Sequence, residues 1–550
     1  MWFSIKFFGP ILSTALLVVA SVLENEGLVF EYNKASNESL LWGPYRSNLY
    51  VGVRPRIPHS LMTGLMWFNM DNYNSVQNMR HFCDQNDDMK GFGWTQYDPR
   101  IGGRQIIKDK EMHIKIITDF VKTDSGNWAL KIKGIPTKKD LKTSLVFYAG
   151  LEGDGLLEYA GMRDLPTNLV SGNLKLLGYS TPLGSAFEMD IFDTKHNKYI
   201  RPSKPLVDPE LDPSLTHHMS LHVPDGNVWL AKDVFMTLLQ EEISEVQTQF
   251  EKITDVPVEQ LFSLKNTADF TGNLHFIQKS FEGEFEFAIT FNVDGTSDQF
   301  NKENLDESIT SALSKFDEKF SRNFQLKAPF NSDKFIKFGK EMLSQLMGGI
   351  GYFYGDQQVD RNAVVDDVDF TTSQLEGKSE GPYELFTAVP SRPFFPRGFY
   401  WDEGFHLLPI LEHDVDLALE IVKSWFSLID DDGWIAREQI LGDEARSKVP
   451  KEFTVQNPNI ANPPTLMLVF TELLDIAKKR HLLKSQTMQI DDQIVIGDDY
   501  FSSSELGDAH LLHPELLIDY AKEVYPKLKK HYECLQMERS FRNPLFTKWP

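Results

Sequence analysis

The sequence predicts an antiparallel β-sandwich over roughly residues 40 to 270, followed by a helical region from about Asn304 onward. Period-2 hydrophobic runs joined by turn residues predict the sandwich, because alternate side chains of a strand face opposite sides of its sheet. Apolar residues spaced by three and four predict the helices. With 550 residues, of which 41% are apolar and 25% charged, the chain has the length and composition of a soluble protein of two or three domains.

The clearest strand signals lie in the first half of the chain. Alternating apolar side chains over residues 112–116 and 128–132 flank the turn sequence Asp124–Asn127, which predicts a hairpin. A further alternating run covers residues 285–291 and ends at Asp294-Gly295. Short strands with turns between them are typical of an antiparallel sandwich.

Two helices are predicted in the second half of the chain. The first is a single apolar stripe that Gly433 closes, formed by Leu411, Val415, Leu419, Val422, Phe426 and Ile429. Asn462-Pro463-Pro464 opens the second helix, with proline in its first turn. The polar, Asp-rich residues 481–515 are predicted to form a loop or insertion.

Charge and cysteine content exclude several function classes. The formal net charge of −23 argues against nucleic acid as a partner, because phosphate binding needs a basic face. Two distant cysteines, Cys83 and Cys534, exclude a disulfide framework and a Cys-rich zinc site. One bridge and two free thiols both remain open. No nucleotide, dinucleotide or metal motif is found, so we expect neither cofactor nor metal.

The N-terminus predicts entry into the secretory pathway. An apolar run from Phe7 to Leu23 follows Lys6 and precedes Glu24 and Glu26, which places the N-terminus in the cytosol and the bulk of the chain across the membrane. The residues alone leave a cleaved signal peptide and an uncleaved anchor equally open. The sequon Asn37-Glu38-Ser39 is a candidate glycosylation site that fits this location.

Two segments, Pro393–His406 and Gly433–Arg446, mix charged residues with aromatic ones. A sugar site needs this combination, in which a ring stacks on the pyranose while carboxylates and guanidinium groups hold its hydroxyls. Surface ion pairs are the alternative explanation for any single charge. The candidate sugar-binding residues are Arg397, Trp401, Asp402, Glu403, Arg437 and Glu438. The adjacent Asp402 and Glu403 are not expected to form an acid–base pair, because an inverting glycosidase needs carboxyls about 6.5–9.5 Å apart across the sugar.

From about residue 40 to about residue 530 the chain resembles the processing α-glucosidases of glycoside hydrolase family 63. The strings that carry the resemblance are long and unusual. They are Ser391–His406, Gly433–Pro450 and Asn462-Pro463-Pro464 in the second half, and Trp42–Arg46, Arg54-Pro55-Arg56, Gly64–Trp67 and Gly93–Asp98 in the first.

The resemblance implies a super-β-sandwich followed by an (α/α)6 toroid in a type II membrane protein of the endoplasmic reticulum with a lumenal catalytic part. It implies hydrolysis, with inversion and without a cofactor, of the outermost α-1,2-linked glucose of the Glc3Man9GlcNAc2 N-glycan on nascent glycoproteins. This favours an uncleaved anchor at the N-terminus. Related trehalases have a similar Trp-Asp run, which implies that Trp401 and Asp402 line the −1 subsite.

The resulting division has four parts: a cytosolic tail with a signal-anchor or signal segment (1–35), the β-sandwich (36–300), a helical linker (301–335) and a partial (α/α)6 catalytic domain (336–550). The family's Ser-Gly-x-Asp-Asp and Trp-Glu-x-Tyr runs, which would supply its general acid and base, are absent from these residues. We therefore expect the acid and base to lie beyond residue 550, and the chain by itself to be inactive, with an incompletely folded helical part. The alternatives are a lumenal glycan-binding protein without catalysis and a trehalase-like toroid hydrolase.

Overall fold

The structure is a computed structural model that describes most of the chain. The residues described are 26–161, 172–250, 252–266, 272–363, 375–460, 463–487 and 506–542. The apolar run from Phe7 to Leu23, predicted as the membrane segment, lies outside them. Within the described ranges, no helix combines the length and apolar character needed to cross a bilayer.

The strands in the described part lie mainly in its first half and are numbered here in chain order. They are β1 (Trp42–Gly43), β2 (Arg54–Pro55), β3 (Leu61–Asn69), β4 (Met89–Asp98), β5 (Gly102–Asp109), β6 (Ile114–Lys122), β7 (Trp128–Pro136), β8 (Lys142–Leu151), β9 (Gly155–Tyr159), β10 (Leu174–Ser180), β11 (Ser185–Asp193), β12 (His217–Leu221), β13 (Leu274–Glu282), β14 (Phe285–Val293), β15 (Ile350–Val359), β16 (Lys378–Ala388), β17 (Gly398–Phe399) and β18 (Glu438–Gln439).

The helices of the described part lie mainly in its second half. They are α1 (26–40), α2 (Ala231–Gln247), α3 (Val258–Leu261), α4 (Leu305–Asn323), α5 (Asp333–Met347), α6 (Tyr400–His413), α7 (Val415–Ser427), α8 (Gly442–Arg446), α9 (Met467–Thr487), α10 (Ala509–Leu512) and α11 (Pro514–Arg542).

Two antiparallel sheets form the sandwich that the sequence predicts. An eight-stranded sheet has the order β4-β5-β6-β7-β14-β11-β10-β9, and a four-stranded sheet has the order β12-β13-β8-β3. The predicted hairpin is β6–β7, in which Lys122 pairs with Trp128 across a turn that contains Gly126 with φ of +87°. The left-handed backbone of this turn is the conformation that glycine adopts most easily.

Side chains from the facing sides of the two sheets share one hydrophobic core. Ile116 and Ile289 of the larger sheet belong to the same buried cluster as Leu65 and Phe147 of the smaller one. The next residue after Phe147 in the chain, Tyr148, points into a different cluster. Alternation along β8 therefore buries both faces of the smaller sheet.

Helices cover the outer faces of both sheets. Phe235 and Leu239 of α2 pack in the cluster of Tyr148, whereas Leu305 and Ile309 of α4 pack against the outer face of the larger sheet. The sandwich thus has four layers. Helix α2 lies within residues 40–270, which the sequence predicted to form the β-sandwich. The sequence analysis therefore did not predict this helix.

The second half of the described chain is helical and contains one β-hairpin, β15–β16. The apolar stripe from Leu411 to Ile429 is not one helix, as the sequence predicted, but two, α6 and α7. The helical backbone is interrupted at Asp414, which has extended backbone angles. The Asp414 side chain accepts a hydrogen bond from Leu417 N and thereby caps α7. The second predicted helix is α9. The predicted loop at 481–515 is wrong at its edges, where α9 extends to Thr487, α10 lies at Ala509–Leu512 and α11 begins at Pro514; residues 488–505 of this prediction lie outside the described residues.

A buried charge cluster joins the sandwich to the helical region. Arg100 Nε lies 2.8 Å from Asp414 Oδ2, and Lys319 Nζ of α4 lies 2.8 Å from Asp98 Oδ2 at the end of β4. His413 Nε2 also contacts Asp98 Oδ2, at 3.0 Å. Burial alone would raise the pKa of Asp98, but Lys319 and His413 outweigh it and hold that pKa well below its usual value.

The two cysteines do not form a disulfide with each other. Cys83 is buried in the sandwich core and Cys534 is half-buried on α11. Of the two options that the sequence left open, the structure therefore excludes the disulfide bridge.

Candidate active site

Two short strands bring the two charged and aromatic segments together. Strands β17 and β18 pair antiparallel, with Phe399 opposite Glu438. Tyr400 N, at the start of α6, donates a hydrogen bond of 3.1 Å to Arg437 O. The six candidate residues, which come from positions 397–403 and 437–438, therefore lie around one backbone junction.

Arg397 and Glu438 form a buried ion pair across this junction. Arg397 donates from Nε at 2.9 Å and from Nη2 at 2.7 Å, both to Glu438 Oε2. The Arg397 guanidinium also lies 4.8 Å from the ring centre of Phe399 and 5.5 Å from that of Phe395. This arrangement fixes the β17–β18 junction from inside, so the pair acts as an internal brace.

Arg437 and polar neighbours hold the rest of Glu438. Arg437 Nη2 donates to Glu438 Oε1 at 3.0 Å, and the Arg437 side chain is 35% exposed. Gln357 Nε2 donates to Glu438 O, and Glu438 N donates to Gln456 Oε1. The Glu438 carboxylate is thus occupied by two guanidinium groups, whereas Arg437 keeps part of its surface for a ligand.

Glu403 is fully buried and holds the helix start against the end of β16. Its Oε1 accepts a hydrogen bond from Ala388 N at 3.1 Å, and its Oε2 lies 2.9 Å from His406 Nδ1. Burial alone would lower the pKa of His406, but the hydrogen bond to Glu403 outweighs it and raises that pKa. Glu403 therefore positions α6 and His406 and does not face the solvent.

Trp401 and Asp402 differ from these anchored residues. Trp401 is 42% exposed, and its ring meets Phe405 edge-on with the ring centres 6.2 Å apart. Asp402 is half-buried, and no other residue in the described part of the chain forms a hydrogen bond or ion pair with its carboxylate. Burial raises the pKa of Asp402, an effect that His406 opposes and Glu438 reinforces. The Asp402 carboxylate is therefore available to a ligand.

The segment before α9 supports this surface from behind. Thr465 Oγ1 donates a hydrogen bond of 2.6 Å to Trp401 O. Gly404 lies directly behind Trp401 and Asp402 on α6, where any Cβ atom would overlap the backbone of Thr465. The missing side chain at Gly404 thus allows α9 to approach the first turn of α6.

Four exposed aromatic rings belong to the same segment as Asp402. Phe394, Phe395, Trp401 and Phe405 remain between 42% and 49% exposed. A pyranose is apolar on its faces and polar at its edges. A flat apolar ring can therefore stack on a face while a carboxylate accepts hydrogen bonds from the hydroxyls at an edge. No group of three or more His, Cys, Asp or Glu residues that could hold a metal ion occurs within the ranges described.

The structure brings all six candidates together but gives them different surroundings. Sequence reasoning missed Gln456 and Thr465, which hold Glu438 and Trp401. Neither stands in a charged or aromatic motif, so only the fold identifies them.

Sequence models of two domains of one family match the chain. The glycosyl hydrolase family 63 N-terminal domain matches residues 39–262, and the C-terminal domain of the same family matches residues 300–549. The first match covers the sandwich up to β12 and helices α2 and α3, and the second covers the region from α4 onward.

Three curated relatives are similar over most of the chain. A mannosyl-oligosaccharide glucosidase of Saccharomyces cerevisiae is 41% identical over 97% of this chain and 66% of its own length. A probable mannosyl-oligosaccharide glucosidase of Schizosaccharomyces pombe is 40% identical over 92% of this chain and 63% of its own. A mannosyl-oligosaccharide glucosidase of Arabidopsis thaliana is 34% identical over 82% and 50%, respectively.

The chain therefore spans between 50% and 66% of the length of these relatives. The sequence strings that resemble the family, both domain matches and the order of sandwich and helical region agree with one another. The chain belongs to glycosyl hydrolase family 63.

Proposed function

We propose that this chain acts in removing glucose from N-linked glycans, and that its substrate is the outermost α-1,2-linked glucose of Glc3Man9GlcNAc2, removed with inversion. Membership of the family and the printed names of the three relatives support the proposal. These names also make a trehalase-like activity the weaker alternative.

The observation that carries the proposal is the Asp402 carboxylate, which no other described residue engages, next in the chain to the exposed ring of Trp401. In the proposed complex, the Trp401 ring stacks on the terminal glucose and Asp402 accepts hydrogen bonds from two of its hydroxyls. The part-exposed guanidinium of Arg437 supplies a donor at the same edge.

The remaining candidates position the site. Glu403 and Glu438 are engaged by protein donors, so neither is free to move a proton to or from a substrate. An inverting reaction needs two free carboxyls on opposite sides of the sugar. We therefore assign binding and orientation to the six candidate residues and place the general acid and base outside this set.

The same proposal places the protein in the membrane of the endoplasmic reticulum, with the tail and anchor before α1 and the remainder in the lumen. Asn37 is exposed on α1, as a glycan acceptor must be. If the site is used, enzymatic removal of N-glycans increases the gel mobility of the natural chain and leaves an Asn37→Gln variant unchanged. Equal mobility of the natural chain before and after this treatment would contradict the assignment.

A non-catalytic glycan-binding protein is the second candidate function. The observation that favours it is the engagement of Glu403 and Glu438, which leaves one free carboxylate in the candidate set. Glycan binding and glucose release separate the two functions.

The experiment measures both properties on the full chain, with the glucose-capped glycan as ligand and the yeast relative as the positive control for glucose release. Release that falls in an Asp402→Asn variant supports hydrolysis at this site. Binding without release supports the non-catalytic alternative. A chain that neither binds the capped glycan nor releases glucose contradicts both.

A further inference from the structure

A cavity of about 210 Å³ lies between the β-sandwich and residues 441–448. The end of β8, the turn before α2 and strand β15 complete its walls. It approaches the candidate active site at Pro396, but none of the six candidate residues lines it. The cavity is therefore separate from the surface that carries Trp401 and Asp402.

Arg54 is half-buried in the wall of this cavity. No ion pair or hydrogen bond joins its side chain to any residue that the structure describes, and its Nε is buried without a partner. One face of the guanidinium lies 4.9 Å from the ring centre of Tyr352. Burial lowers the pKa of Arg54. A half-buried cation whose donors meet no acceptor among the described residues is a candidate for a ligand contact.

Glu152 is 8% exposed and lines the same cavity. Its Oε1 accepts one hydrogen bond, of 3.3 Å, from Val228 N. Burial raises the pKa of Glu152, and the positive charge of Arg54 partly offsets this effect. The two charges therefore interact, yet they form no ion pair. A guanidinium and a carboxylate that face one cavity without touching can be bridged by two adjacent hydroxyls, one accepting and one donating.

Trp229 adds a flat surface and a further donor. Its indole Nε1 is buried and has no hydrogen-bond partner within the described ranges. Tyr354 contributes a second ring to the wall. Aromatic rings beside convergent polar groups are typical of a carbohydrate site.

The charges of the wall favour a neutral ligand. Four basic side chains and four carboxylates line the cavity. Most of them pair with each other, as in Arg46–Glu444 at 2.9 Å and Arg446–Asp356 at 2.6 Å. An anion such as phosphate would meet as many carboxylates as cations. At about 30 Å³ for each water, the space equals about seven waters, which suits one monosaccharide better than two.

We propose that this cavity binds one hexose residue of a neutral glycan. Arg54 and Glu152 hold two adjacent hydroxyls, and Trp229 contacts the ring and donates from its indole nitrogen. The proposal is independent of hydrolysis, because it needs neither glucose release nor a ligand at Asp402.

The test uses methyl α-D-glucopyranoside and methyl α-D-mannopyranoside as probes. Binding to the full chain is measured by saturation-transfer NMR in sugar-free buffer, with an Asp402→Asn substitution present to weaken the candidate active site. We expect this variant to bind at least one probe. Adding Arg54→Met should weaken that binding by about tenfold or more, the value of a lost charged hydrogen bond. Arg322→Met, which removes an exposed arginine of α4, is the matched control and should not change it.

If Arg54 instead had a structural role, replacing it would lower the melting temperature of the chain. Because no described residue forms an ion pair or hydrogen bond with the Arg54 side chain, and Met can still pack on the Tyr352 ring, Arg54→Met should keep or raise the melting temperature. If it lowers the melting temperature instead, Trp229→Phe carries the test, since it retains a ring and removes the donor.

Unchanged binding in both Arg54→Met and Trp229→Phe would overturn the proposal, and so would the absence of binding in the Asp402→Asn chain. If binding is lost through Asp402→Asn and kept in a chain that carries Arg54→Met as its only substitution, the hexose occupies the candidate active site. That result overturns the second site and leaves the proposed function intact.

Discussion

Asp402, Glu403 and Glu438 carry the same functional group in three different environments. Glu403 is fully buried between Ala388 N and His406, and Glu438 lies between two guanidinium groups. Asp402 alone of the three has no partner in the described part of the chain. Sequence reasoning grouped the three as binding residues, since a carboxylate's partners become visible only when distant segments meet. The structure leaves Asp402 as the ligand contact.

The Arg397–Glu438 pair provides a prediction about stability. Arg397→Met should lower the free energy of unfolding by about 3–5 kcal/mol, because it leaves the Glu438 carboxylate buried with one of its two cationic partners removed. Urea unfolding of the variant and the natural chain measures this difference.

Lys138→Met is the control, since the Lys138–Asp71 pair is largely exposed and should change stability by at most about 1 kcal/mol. Equal effects of Arg397→Met and Lys138→Met would show that the buried pair does not brace the β17–β18 junction.

At the level of elements, the site depends on how closely α6 and α9 approach each other. Gly404 permits this approach, and Thr465 ties the segment before α9 to the backbone of Trp401. The first turn of α6, which holds Trp401 and Asp402, is therefore placed by packing against α9 as well as by β17.

Replacing Gly404 tests this placement. Gly404→Ala should destabilise the chain by about 1–3 kcal/mol, because the added Cβ overlaps the backbone of Thr465 and forces the two elements apart. Thermal unfolding measures the effect. Gly91→Ala, on strand β4 where a Cβ meets no atom within 4 Å, is the matched control. A Gly404→Ala chain as stable as Gly91→Ala would mean that α9 does not support the site.

The elements also show how far the sequence could predict the fold. Strands β6, β7 and β14 follow period-2 patterns with glycine or asparagine turns, so their positions were predictable. The break between α6 and α7 was not, because the apolar stripe continues in phase across Asp414. The sign that could have revealed it is the cap itself, since aspartate favours the residue before a helix.

Helix α2 illustrates a different limit. Its buried residues Ala231, Phe235, Leu239 and Val246 are spaced by four and seven, as on one helical face. The helical pattern was present, but it stands between strands of one sheet, and the sequence does not show that the sheet's outer face needs a cover. The separate roles of the three carboxylates were hidden for a similar reason, because they depend on contacts between remote segments.

At the scale of the whole molecule, the charge cluster around Asp98 and Asp414 connects sandwich and helical region. Arg100 and Lys319 outweigh burial and hold the pKa of Asp414 well below its usual value. A carboxylate whose native pKa is below its unfolded value stabilises the fold above that unfolded value, near pH 4, and this contribution is lost as the pH falls further.

Arg100→Met should therefore destabilise the chain by about 3–5 kcal/mol at pH 7, because Asp414 loses a buried partner. The difference from the natural chain should shrink below about pH 4, where protonation removes the charge that Arg100 neutralises. Urea unfolding at pH 7 and pH 3 measures both values. Arg104→Met is the control, because Arg104 and its partner Asp119 lie on neighbouring strands of one sheet and do not join the sandwich to the helical region. A difference that stays constant between the two pH values would contradict this account of the cluster.

The central claim is that Asp402 and Trp401 hold the terminal glucose of a glucose-capped N-glycan. The most direct measurement is the dissociation constant of the full chain, natural and Asp402→Asn, for the capped glycan and for the same glycan without its glucose residues. We expect the natural chain to prefer the capped glycan by about tenfold and the variant to lose that preference, as expected for the loss of a charged hydrogen bond. The stability of the Asp402→Asn chain should equal that of the natural chain, because the Asp402 carboxylate has no partner in the described residues. Equal binding of the two glycans by the natural chain, or an unchanged preference in the variant, would contradict the claim.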